Sequence, residues 1–260
     1  YRNHYLCDRL FNKYYSMKKL FFLSKILFNL LICQILEEPM SSPTHTLGKV
    51  NTLKKIEDNI FLFDSDWVKD LKILLPCKNV NIPKKSSRLP NAPRSYRNGI
   101  HKGIDFFANW GTEVRAVAPG IVVRADHNYK EYPPEFREKM LIASGNVGHT
   151  PSDIFNNVLL GRAIILDHGF NLIPGFRTIS IYAHLSSINT NVAGGLKVKS
   201  GQIIGRTGNS GTKQSTLGNK KEAHLHWEMI LQKDKDEIFL GQNMEYDEMY
   251  KMLNDIFINN

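Results

Sequence analysis

From Ile100 onward the chain breaks into short apolar runs, each closed by glycine or proline, and that punctuation points to strands joined by tight turns. The runs at 112–117, 120–125, 163–166, 178–183, 202–205 and 224–231 read as strands. The first two read as a hairpin around Ala118-Pro119-Gly120. The expected fold class is therefore all-β to α+β. The one clear helical signal lies at the end of the chain, where Tyr246, Met249, Tyr250, Leu253 and Phe257 recur at helical spacing. That stripe predicts a C-terminal helix that packs on the domain.

Within this framework three separated fragments carry chemistry: His101-Lys-Gly-Ile-Asp105, Tyr182-Ala-His184-Leu185 and His224-Leu-His226. His224 and His226 are two apart, so on a strand both side chains leave the same face. His101 and Asp105 are four apart, again an even separation, with Gly103 between them leaving room. Zn²⁺ takes His nitrogen and carboxylate oxygen, and a catalytic site uses three such ligands plus an open position. Each fragment alone has an ordinary alternative: His-x-x-x-Asp as a surface salt bridge, His-x-His as two hydrogen-bonded histidines. Taken together they read as a zinc hydrolase. Spacing leaves open whether His224 or His226 is the ligand.

The fragments also come in a fixed order and context. Arg97-Asn-Gly-Ile-His-Lys-Gly-Ile-Asp-Phe106, Ala116-Val-Ala-Pro-Gly-Ile-Val-Val123, Ile164-Ile-Leu-Asp-His-Gly169, Ile181-Tyr-Ala-His-Leu-Ser186, the glycine-rich 198–211 and Ala223-His-Leu-His-Trp-Glu228 together span roughly half the chain. This part resembles the lysostaphin/LytM-type zinc metallopeptidases, which cut the peptides of bacterial cell walls. The resemblance implies a compact antiparallel β-sheet domain with a substrate groove. It implies that His101, Asp105 and His226 bind one Zn²⁺ per chain, with His184 and His224 as catalytic histidines beside a metal-activated water. Two neutral imidazoles and one carboxylate leave zinc a net charge of +1, enough to acidify such a water. The remaining imidazoles titrate near neutrality and suit proton transfer or oxyanion stabilisation. The expected activity is endopeptidase cleavage of peptidoglycan peptides by a secreted or envelope-located protein. Two rivals stand beside it. One is a non-catalytic domain of the same fold that regulates other wall hydrolases, in which ligands would be missing. The other is a D-alanyl-type zinc carboxypeptidase, which calls for a wider His-to-Asp spacing.

Other features bound the reading. No His-Glu-x-x-His helix occurs, which excludes the helical zincin arrangement. The loop Gly205-Arg-Thr-Gly-Asn-Ser-Gly211 lacks the lysine-hydroxyl ending of a phosphate-binding loop, and its glycines permit left-handed turns. His168 reads as structural, in a strand-ending turn, and His4, His45, His127 and His149 as unconnected with metal. The stretch 128–160 reads as an insertion, a loop or short-helix lid beside the groove or else a solvated excursion.

The domain organisation follows. Residues 99–260 read as the metallopeptidase domain with insertion 128–160, and 41–98 as an N-terminal extension whose segment 86–98 enters the site. The chain begins with Tyr1 rather than Met, and 1–40 reads as a fragment edge followed by a signal sequence or membrane anchor, from Met17-Lys18-Lys19 and the apolar run 20–33. The formal net charge of +9 favours polyanions. No nucleic-acid motif accompanies it, so no nucleic-acid partner is expected, and anionic wall polymer or a membrane surface fits better. Cys7, Cys33 and Cys77 make no disulfide framework, and Cys77 reads as a buried apolar residue. Oligomeric state leaves no mark in the sequence.

Overall fold

The computed structural model describes residues 54–57 and 60–258. The candidate signal or anchor segment, together with His4, His45, Cys7 and Cys33, lies outside these residues. No helix among the described residues is long and apolar enough to cross a membrane.

Strand His224–Lys233 organises the domain. Its side chains alternate: Leu225, Trp227, Met229 and Leu231 enter the main core, whereas His224, His226 and Glu228, and Ile230 after them, leave the opposite face. On one side it pairs antiparallel with Phe176–Ala183. Its other side is shared, Ile104–Phe107 taking the first half and Asp236–Phe239 the second. Beyond Phe176–Ala183 follow Ile164–Ile173, Gly120–Ala125 and Lys197–Val198, all antiparallel, which completes a seven-stranded sheet. A second, three-stranded sheet holds Leu185–Ile188, Ile203–Thr207 and Glu113–Arg115. The fold is mostly antiparallel β-sheet with few helices, as the strand pattern predicts.

Two local expectations need correction. Glu113–Arg115 and Gly120–Ala125 do not form a hairpin; the first belongs to the three-stranded sheet and the second to the seven-stranded one. The chain between them crosses the core, where Ala116, Val117 and Ala118 are buried and Val117 N–H donates to the Tyr182 hydroxyl at 2.9 Å. His168 does not end a strand either. It sits inside Ile164–Ile173, where Gly169 is left-handed at φ 62° and the register with Phe176–Ala183 shifts. Its role is structural, with ring nitrogens bonded to Pro119 O at 2.7 Å and Ser180 Oγ at 2.8 Å.

The core face is closed from two directions. Helix Tyr246–Ile256 lays Met249, Met252, Leu253 and Ile256 onto it, and from the N-terminal extension Trp67, Val68, Ile73 and Leu89 join the same cluster. Of the predicted stripe, Tyr246 alone is exposed. Burying such side chains contributes roughly 1.5–3 kcal/mol each before conformational entropy is counted. Phe257–Ile258 then pairs with Ile73–Leu74, which ties the end of the chain to the extension. Cys77 is fully buried, and that burial pushes its thiol pKa up to about 12, against the opposing pull of Arg115.

The insertion is helical. Helix Pro134–Asn146 is followed by the short turns Ser152–Ile154 and Phe155–Leu159. Leu160 and Ala163, together with Phe155, cover Ile181 and Ala183 on the outer face of the main sheet.

Candidate metal and catalytic centre

The register of the main sheet sets Asp105 directly opposite His226, and Ala183 on His226's other side. His101 precedes Ile104–Phe107 and reaches the same point. His101 Nε2 lies 2.9 Å from Asp105 Oδ1 and 3.0 Å from His226 Nδ1, and His226 Nδ1 lies 2.9 Å from Asp105 Oδ1. All three residues are buried. The approach depends on Gly103, where a Cβ would lie 2.4 Å from Trp227 O and 2.7 Å from Glu228 Cγ.

The outer nitrogen of each ring decides what the inner one can do. His101 Nδ1 faces Leu89 O at 2.9 Å and His226 Nε2 faces Glu228 Oε1 at 2.7 Å. A carbonyl or carboxylate oxygen only accepts, so both outer nitrogens carry the hydrogen. In the neutral rings the inner nitrogens then present lone pairs, aimed at each other and at Asp105. Only a proton or a cation among them satisfies all three. A proton does so in the metal-free protein: burial alone would lower the His226 pKa, but Asp105 and Glu228 override it and push it up to about 9. Burial would likewise raise the Asp105 pKa, yet hydrogen bonds from His101 and His226 hold it well below the usual carboxylate range. Two imidazoles and one carboxylate, orientated by outer hydrogen bonds, form a donor set suited to zinc, and donors sharing one tetrahedral zinc at 2.0–2.1 Å lie roughly 3.3 Å apart. These residues fit the ion. Asp105 Oδ2 also faces Arg94 Nη2 at 3.3 Å, which leaves Oδ1 as the inner oxygen.

His184 and His224 stand beside this triangle. The His184 ring centroid is 4.8 Å from that of His224 and 5.7 Å from that of His226. Each repeats the outer-anchor pattern: His184 Nδ1 donates to Ser210 O and His224 Nδ1 to Glu222 O, both at 2.7 Å. In both rings Nε2 remains as an acceptor, and His224 Nε2 lies 3.9 Å from Asp105 Oδ1. Their surroundings favour the neutral form. Burial lowers both pKa values, that of His184 well below the usual imidazole value with further lowering by His224 and His226, and that of His224 against the opposing pull of Asp105. His184 and Glu222 both hold positive φ, 61° and 57°, conformations that non-glycine residues rarely adopt and that concentrate at functional sites. The His224 ring stacks on Phe107 at 4.9 Å between centroids, with the Arg88 guanidinium 3.7 Å from the centre of the Phe107 ring.

All five residues singled out in the sequence therefore border one cavity of about 490 Å³. His127, His149 and His168 lie elsewhere and bond to backbone carbonyls or Ser180. Three contributors were not picked out. Glu228 had a signal, since it follows His226 by two on the same strand face. Arg94 and the carbonyl of Leu89 belong to the segment 86–98, which was expected to enter the site, but nothing in an irregular loop marked which of its groups would reach the triangle. The glycine-rich loop also departs from expectation: of Gly205, Gly208 and Gly211, only Gly211 is left-handed.

The sequence signature of peptidase family M23 matches residues 99–238, 140 of the 260 residues. No curated protein matches the chain. Among solved structures, the chain is similar to the catalytic domain of lysostaphin from Staphylococcus simulans at 23% identity, with 66% of this chain and 89% of that one covered and a TM-score of 0.32. A solution structure of lysostaphin gives 22% identity, coverage of 75% and 55%, and a TM-score of 0.36. A zinc-containing peptidase from Vibrio cholerae gives 20% identity and a TM-score of 0.31, with 51% of this chain covered and only 27% of that one.

Proposed function

The chain belongs to peptidase family M23, and from that premise we propose that it is a zinc-dependent endopeptidase that hydrolyses peptide bonds of bacterial peptidoglycan. The observation that carries the reading is the three-way meeting of His101 Nε2, Asp105 Oδ1 and His226 Nδ1 at 2.9–3.0 Å, with two neutral histidines beside it. His101, Asp105 and His226 would hold one zinc ion. When bound there, zinc supplies Lewis acidity to amide hydrolysis.

The remaining work falls to the chain's own groups. His184 and His224 keep Nε2 unprotonated at neutral pH, so either accepts a proton at that atom and returns it to the leaving amine. Their Nδ1 hydrogens, fixed on Ser210 O and Glu222 O, prevent the rings from turning away. Once protonated, either imidazole donates to the oxyanion that develops at the scissile carbonyl. Residues 99–260 act as the catalytic domain in this reading, and the substrate implies a secreted or envelope location.

The direct test is mass spectrometry of defined muropeptides incubated with the purified chain, with and without chelator. Cleavage at one type of amide, lost with chelator and restored by zinc, is the expected result. Zinc bound with no cleavage of any muropeptide would overturn it in favour of a non-catalytic wall-binding regulator.

A further inference from the structure

The insertion is fastened to the loop that orients His184. Both carboxylate oxygens of Glu131 accept from Gly211 N–H, at 3.2 and 3.1 Å, and Glu131 also accepts from the Ser215 hydroxyl. On the other side of the same residue, Arg137 Nε–H donates to Gly211 O at 3.0 Å. The preceding carbonyl, Ser210 O, is the one that anchors His184. Arg137 and His184 are thus held by adjacent carbonyls of one backbone segment, which sets guanidinium and imidazole in a constant register. The segment has little slack. Gly211 is left-handed at φ +76°, and a Cβ there would lie 2.6 Å from Gly161 N and 2.7 Å from Leu159 O.

The three arginines of the cleft differ in what they have left to offer. Arg94 bonds Ser87 O and Asp105, and Arg97 bonds Thr150 Oγ1 and Ile100 O. Arg137 lines the same cavity as the metal triad and His184, but among the described residues Nε alone is bonded and the two terminal nitrogens are not. Of the ionisable groups facing it, Glu131 is engaged as above, Tyr129 donates to Glu131, and Tyr96 and the exposed Glu138 line the same cavity. Lys213, exposed on the same cavity wall, adds a second cation, and the exposed carboxylates Glu138 and Glu222 border the cavity as well. A guanidinium with its terminal fork open, half-buried beside a peptide-cleaving centre, matches the geometry of a carboxylate.

We propose that Arg137 receives a free carboxylate of the substrate next to the bond cut, so that the cleft selects acidic stem peptides over uncharged glycine bridges. The nature of the peptide rests on the endopeptidase reading above; the carboxylate contact does not.

Equilibrium titration of the full chain, with and without zinc, tests the contact without turnover. The probes are a stem peptide bearing free carboxylates and its fully amidated counterpart. The expected preference for the acid is on the order of tenfold or more. Arg137→Gln should bind both peptides at the affinity of the amide, and Arg137→Lys should recover part of the preference. Equal binding of acid and amide by the unaltered chain overturns the proposal whether or not any variant folds. So does Arg137→Gln with an unchanged preference and a native melting midpoint. A chain that prefers the acid yet cuts neither peptide upholds the carboxylate site and removes the endopeptidase reading. One that cuts both, with no preference in binding, does the reverse.

Discussion

Glu228 Oε1 accepts from His226 Nε2 at 2.7 Å, and Glu228 is itself only 1% exposed. Its other oxygen has no hydrogen-bond partner among the described residues. Burial would raise the carboxyl pKa, but the His226 contact brings it below the usual value, so the group is ionised and its charge rests on that ring. A carboxylate in this position orients the imidazole and raises its basicity toward a metal.

Replacing Glu228 by Gln keeps the shape and removes the charge. Zinc affinity is expected to fall on the order of 10–100-fold, read by competition with a chromophoric chelator. Unchanged affinity would show that the ring is held by packing alone.

The five residues of the centre should separate into two classes. His226→Ala removes a donor of the triangle and should abolish stoichiometric zinc retention, measured by elemental analysis after gel filtration. His184→Ala and His224→Ala leave the triangle whole; each should retain zinc while turnover of a cleavable muropeptide falls by about 10²–10⁴. Wild-type turnover in both would remove these histidines from proton transfer, and one zinc per chain in His226→Ala would refute the ligand set.

Much of this centre was legible because alternation and even spacing are local properties. Once His224–Lys233 is a strand, Leu225 and Trp227 must enter the core and His224 and His226 must share the other face. The C-terminal stripe was legible for the same reason, with a period of 3.6 in place of 2. Pairing between sheets is not local. Nothing within 112–125 distinguishes a hairpin from two strands in different sheets, since the deciding partners, Ile203–Thr207 for the first strand and Ile164–Ile173 for the second, lie far along the chain. The role of Arg94, within a loop expected to enter the site, and that of Arg137 escaped for a related reason: an arginine on a loop or on an insertion helix carries no periodic mark of what it touches in the cavity it borders. Which of His224 and His226 completes the triangle depends on ring orientation, and that is set by Glu222 O and Glu228, one of them a backbone atom.

A pH-dependent contribution to stability is expected away from the centre. Asp167 accepts from Arg177 Nε at 3.1 Å and Nη2 at 2.5 Å, and from Gly169 N–H at 2.8 Å. The Arg177 hydrogen bonds, helped by that of Gly169 and opposed by burial, lower its pKa below the ordinary 3.8. A depressed carboxylate pKa stabilises the fold above the unfolded value and loses that contribution as pH falls through the folded one. Asp167→Asn should therefore melt below the wild type at neutral pH. The gap should begin to close near pH 4 and vanish below it. A gap that stays constant down to pH 2 would show that charge plays no part.

Gly103 tests whether the triangle needs its close backbone approach. No positive φ is required there, so an alanine meets no backbone strain and its whole effect is steric. The added Cβ would lie 2.4 Å from Trp227 O, 2.7 Å from Glu228 Cγ and 3.0 Å from His226 Cε1. The first contact is with backbone of a central strand, which cannot yield cheaply, so Ile104–Phe107 must move away from His224–Lys233. That movement separates Asp105 from His226, its opposite partner in the register. Overpacking of this kind costs about 1–3 kcal/mol, which should appear in chemical denaturation of Gly103→Ala. Because the displaced atoms belong to His226 and to Glu228 behind it, zinc affinity should fall as well, in a variant that changes no donor atom. A Gly103→Ala protein of normal stability and normal zinc affinity would mean that the strands tolerate a wider spacing and that the 2.9 Å approach of Asp105 to His226 is not what holds the metal.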